Sequence, residues 1–138
     1  MEISNSLFIQ ADAETVWALT VDVEALPALT PTISKASRLD HGPLAVGSRV
    51  RLKQPAQLGA IWTVTQLDPP TLFQWERTAG WLKMTATHQL ESEGTGCRNT
   101  LILAVSGPGS GAFLRLFGSV IGRALETENQ SFKERAEI

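Results

Sequence analysis

His88 and Glu128 are two ionisable residues whose spacing sets them among apolar neighbours. His88 alternates with Leu82, Met84, Ala86 and Leu90, opposite Lys83, Thr85, Thr87, Gln89 and Glu91, so a strand presents it to the interior. Glu128 follows Phe117 by eleven residues, which at about 3.6 residues per turn returns it to within about 20° of that ring on a helix. A carboxylate that fixes one imidazole tautomer makes a base near neutral pH. The two side chains are then expected within hydrogen-bond reach, directly or through one water. Two other readings stay open: a neutral buried histidine bonded to a neighbour, or a pair that orients a ligand's carbonyl or hydroxyl. No Gly-x-Ser-x-Gly elbow, His-Glu-x-x-His pair or dinucleotide fingerprint occurs, and the second histidine, His41, sits in a turn. No metal and no cofactor is expected.

Two kinds of element must position this pair. The first is a long helix over 111–134, whose Phe113, Phe117, Val120, Ile121, Ala124 and Phe132 form one stripe, with Arg115, Arg123, Glu126 and Lys133 mostly off it. A stripe that wide is expected to be buried. The second is a sheet. Ile3 to Ile9 reads as its first strand, followed by a short helix capped by Asp12 and carrying Val16 and Trp17. Asp22 is expected to cap a second short helix through Leu26 and Leu29, limited by Pro27 and Pro31.

From Ile33 onward, strands are separated by short turns such as His41-Gly42-Pro43, Asp68-Pro69-Pro70 and Gly94-Thr95-Gly96, which implies an antiparallel meander. In Arg49 to Lys53 three cations face away from Val50 and Leu52. Ala60 to Leu67 has apolar residues in both alternating sets, and Trp62 and Val64 are taken as inward. Phe73 and Trp75 share a face in Thr71 to Arg77, as do Leu101, Leu103 and Val105 in the last strand. The sheet's apolar face has one large partner left, so it should curl around the terminal helix.

A chain of 138 residues is expected to be one domain, 1–138, with a core large enough to fold unaided. A net charge of −2 with scattered Lys and Arg argues against nucleic acid as partner. The one cysteine, Cys97, can form no internal disulfide, and no apolar run suits a transmembrane segment. The expectation is a soluble, cytoplasmic protein.

The element order carries a family resemblance, together with Ile9-Gln10-Ala11-Asp12-Ala13-Glu14-Thr15-Val16-Trp17, the Gly47-Ser48-Arg49 lead into a strand, the segment from Trp62 to Pro70, and Gly94-Thr95-Gly96. The chain resembles the START-like superfamily, in particular its bacterial polyketide cyclase/dehydrase-like (SRPBCC) branch. That resemblance implies an α+β helix-grip fold: a seven-stranded antiparallel sheet curled around a long C-terminal helix, two short helices after the first strand, and a deep cavity for an apolar or amphipathic small molecule. It brings no universal catalytic motif.

Within such a cavity, Trp62, Phe73, Trp75, Met84, His88, Phe113, Phe117, Ile121 and Glu128 are the residues expected at a ligand, against the alternative that the aromatics are ordinary core. By parity Trp81 belongs outside or at the rim. Gly118 and Gly122 each cost the helix about 1 kcal/mol relative to Ala, so they make room for a ligand or for another backbone, a homodimer partner included. The Gly107 to Gly111 stretch lacks a Lys-Ser or Lys-Thr pair and reads as a gate or connector rather than a phosphate loop. Three functions remain: a carrier or sensor of a small hydrophobic molecule, a cyclase/dehydratase-type enzyme using His88 and Glu128 for proton transfer, and a protein-interaction module.

Overall fold

The computed structural model describes residues 1–55 and 59–138. Its strands are β1 (Glu2–Ile9), β2 (Lys35–Arg38), β3 (Arg49–Lys53), β4 (Ala60–Asp68), β5 (Leu72–Ala79), β6 (Leu82–Glu93) and β7 (Gly96–Ser106). They form one antiparallel seven-stranded sheet in the order β1-β7-β6-β5-β4-β3-β2. The meander from β2 to β7 follows from the short turns. The segment after β1 carries the chain from one edge of the sheet to the other through α1 (Ala13–Val21), a 3₁₀ turn (Val23–Ala25) and α2 (Leu26–Leu29).

Asp12 starts α1 as expected. Its carboxylate accepts from the Thr15 hydroxyl at 2.5 Å and the Thr15 amide at 2.8 Å, and these bonds hold its pKa below the usual carboxylate value. The Asp22 side chain makes no capping bond. With Pro27 and Pro31 preventing propagation, what was expected as a second capped helix is the 3₁₀ turn followed by the single helical turn of α2.

The double apolar pattern of β4 also has a structural cause. Its pairing with β5 shifts between Val64 and Gln66, a bulge that reverses which residues face inward. Trp62 and Val64 are buried before the bulge, and Leu67 packs on the core after it.

The long helix, α3, spans Ser110–Ala136 and lies across the concave face. Its C-terminal half is embedded, with Phe132 and Asn129 fully buried. Its N-terminal half is not: Phe117 is 47% and Val120 57% exposed, so the apolar stripe is only partly buried, contrary to expectation. From α3 the buried core of Val16, Leu26, Val50, Phe73 and Leu90 takes in Phe132, with Ala136 packed against it.

The glycines explain how α3 sits. A Cβ on Gly118 would lie 3.3 Å from Ile3 Cδ1, and one on Gly122 would lie 3.9 Å from Ile3 Cγ2. Gly118 thus lets the helix approach Ile3 of β1 closely, whereas at Gly122 a Cβ would make only an ordinary contact. In the connector before α3, Gly107 (φ +104°) passes so near the β5–β6 turn that a Cβ would stand 2.2 Å from the Trp81 carbonyl oxygen. Among the described residues no helix is long and apolar enough to cross a membrane.

Candidate functional site

Leaning α3 on β1 while curling the sheet away from it leaves a cavity of about 460 Å³, within the range of small-molecule sites. Its wall includes Trp62, Trp75, Met84, Ala86, His88, Leu101 and Leu103 from the sheet, and Phe113, Phe117, Val120, Ile121, Ala124 and Glu128 from α3. Every residue expected at a ligand lies on this wall except Phe73. That ring is fully buried behind it, edge-on to Trp75 at 4.9 Å and to His88 at 5.6 Å between centroids. It is a packing residue because its strand position, directly opposite His88, lies where the core already closes the space. Trp81 is 84% exposed and lies away from the cavity.

The wall grades from wet to dry. Phe117 and Val120 stand at the exposed end, whereas His88 and Glu128 close the buried end. His88 Nε2 lies 4.0 Å from Glu128 Oε1, in contact but too long for a direct hydrogen bond. The imidazole is clamped edge-on by Phe73 and by Phe132, the latter at 5.9 Å, and its Nδ1 is enclosed with no partner among the described residues. Burial lowers the His88 pKa from 6.5 to about 4, because the imidazolium would lose its hydration. Burial raises Glu128 from 4.5 to about 7, a rise countered in part by the Thr32 side chain. Near neutral pH the pair thus offers a neutral imidazole beside a carboxyl that both holds and releases a proton.

A second polar cluster fixes α3 and was not anticipated. Asn99 Nδ2 donates to Asn129 Oδ1 at 2.9 Å, while Asn129 Nδ2 donates to the Asn99 carbonyl at 3.0 Å and to Asn5 Oδ1 at 2.9 Å. This ties α3 to β7 and β1 next to Glu128. The helical period that singled out Glu128 also places Asn129 three residues before the buried Phe132, so its signal was present. Arg77 was missed as well. It shares parity with Phe73 and Trp75, and it reaches the cavity wall.

A sheet gripping a terminal helix over an apolar cavity defines the helix-grip, START-like class. Residues 1–137 match the family model described as polyketide cyclase / dehydrase and lipid transport, and the chain belongs to that family. A START superfamily protein from Mycobacterium smegmatis is similar in structure, with a TM-score of 0.77 and 20% identity, covering 99% of this chain and 97% of that one. The di-domain ARO/CYC StfQ from the steffimycin biosynthetic pathway gives a TM-score of 0.82 at 9% identity, covering 99% of this chain and 50% of its own, so this chain spans half of that protein. The Aha1 dimer from Colwellia psychrerythraea gives 0.75 at 17% identity, covering 100% and 97%. At these identities the likeness is one of fold. Comparison with curated proteins finds no match. Family and fold point to a hydrophobic-ligand-binding or polyketide cyclase-type function.

Proposed function

We propose that the protein holds a small hydrophobic or amphipathic molecule between the sheet and the N-terminal half of α3, as a carrier or sensor. The observation that carries this reading is the cavity itself, about 460 Å³ walled mostly by apolar side chains such as Trp62, Trp75, Met84 and Ile121, with Arg77, His88 and Glu128 among its few polar ones. His88 and Glu128 serve as the buried polar anchor, accepting from or donating to a ligand hydroxyl or carbonyl. The test is titration with the neutral dye N-phenyl-1-naphthylamine, which fluoresces in apolar surroundings. Saturable one-to-one binding is expected; a linear, unsaturable response contradicts the reading.

One observation favours a second reading, an enzyme of the cyclase/dehydratase type: His88 and Glu128 stand 4.0 Å apart on the cavity wall. Burial there pushes Glu128 up to about 7 and keeps the imidazole neutral, the condition under which a carboxyl both gives and takes a proton at physiological pH. In that case Glu128→Gln cuts kcat by about 10² or more on a carbonyl-containing substrate while KM moves little. In a carrier the same change weakens affinity by the equivalent of one buried hydrogen bond, about 1–3 kcal/mol.

A further inference from the structure

Arg77 is a cation on the wall of this cavity, and among the described residues it has no ion-pair partner. Alternation along β5 sends its side chain to the concave face, where it stands opposite Met84 of β6. Its Nε is enclosed without a hydrogen-bond acceptor, and among the described residues no carboxylate lies within ion-pair distance. Its sequence neighbour Glu76 is turned to the outer face, where it pairs with Lys83 at 3.1 Å. Glu128, the acid of the cavity, belongs with His88. That histidine stands four residues beyond Met84 on β6, about 13 Å along the strand. Between the two positions the strands present Trp75, Ala86 and Leu103 to a wall on which Gln54 is a further polar side chain. A guanidinium held against such a wall loses hydration that only an anion restores well, and its planar fork matches a carboxylate.

Resting on the binding function above, we infer that the ligand is an elongated amphipathic anion, its carboxylate held by Arg77 and its apolar body running about 13 Å toward His88 and Glu128. One guanidinium balances one negative charge, so a monocarboxylate fits better than a more highly charged head.

The experiment displaces N-phenyl-1-naphthylamine with decanoate and, in parallel, with its neutral methyl ester. In Arg77→Met, decanoate weakens tenfold or more relative to its methyl ester measured on the same variant, the loss expected for an ion pair screened from water. Arg77→Gln is the second variant, with the same expected pattern should the methionine fail to fold. Decanoate binding that is unchanged in the variants, or weakened no more than the ester, overturns the inference and leaves the cavity reading standing. Absence of dye binding in the wild type overturns both.

Discussion

Asn129→Leu is expected to destabilise the fold by about 3–5 kcal/mol, although leucine keeps the branched shape of the side chain and adds apolar surface. The loss arises in the groups left behind. Asn99 Nδ2, the Asn99 carbonyl and the Asn5 side chain all lose a partner next to a fully buried position, and each buried amide group left unpaired costs about 1–3 kcal/mol. Urea denaturation followed by tryptophan fluorescence measures it. A variant within about 1 kcal/mol of wild type would show that water enters and satisfies the cluster. Because Asn129 adjoins Glu128, the same cluster sets where the carboxyl enters the cavity, so partial undocking of α3 would also loosen the His88–Glu128 contact.

The second large effect is a pH dependence hidden in the wild type and exposed by single substitutions. In the folded protein the proton sits on Glu128, at about 7, rather than on His88, at about 4; in the unfolded chain it sits on the histidine, at 6.5, rather than on the carboxyl, at 4.5. Between about pH 4.5 and 6.5 each state therefore carries one proton on this pair, and stability hardly changes. Glu128→Gln leaves the lowered histidine alone. The unfolded chain then binds a proton that the fold refuses, so stability falls as pH drops from 6.5 toward 4. His88→Gln leaves the raised carboxyl alone. The fold then holds a proton that the unfolded chain releases, so stability falls as pH rises from 4.5 through 7. At about 1.4 kcal/mol per tenfold, each slope amounts to about 3 kcal/mol across its window. Urea midpoints between pH 4 and 8 should diverge in opposite directions for the two variants, and parallel profiles would refute the proton exchange.

The architecture was legible because its signals are local and repetitive. Alternation in Arg49 to Lys53 and in Leu82 to Leu90 fixed two inner faces, and the short turns fixed the meander. Parity also put Trp81 outside. Three features were harder to read, each for a reason of packing. The bulge after Val64 changes faces without any punctuating glycine or proline, so β4 looked apolar on both sides. The exposure of Phe117 and Val120 depends on the tilt of α3 against Ile3, a tertiary contact that helical periodicity does not encode. Phe73 and Trp75 are equivalent by alternation, yet the first is sealed beneath the buried half of α3 and the second faces the cavity. Arg77 and Asn129 were readable by parity and period, but arginine and asparagine are ordinarily solvent-facing, and tertiary packing is what encloses them here.

That a ligand occupies the interior, and not the exposed apolar surface of Leu116, Phe117 and Val120, is tested most directly by filling the cavity from within. Ala86 lies on the sheet wall, between Trp75 and Leu103 on the neighbouring strands, and a tryptophan there takes up much of the space while the outer surface of α3 is unchanged. The measurement is N-phenyl-1-naphthylamine titration of wild type and Ala86→Trp, with circular dichroism confirming that both are folded. One-to-one binding by the wild type and its loss in the folded variant is the expected result. Equal binding by both proteins would place the dye on the surface and contradict an internal binding site.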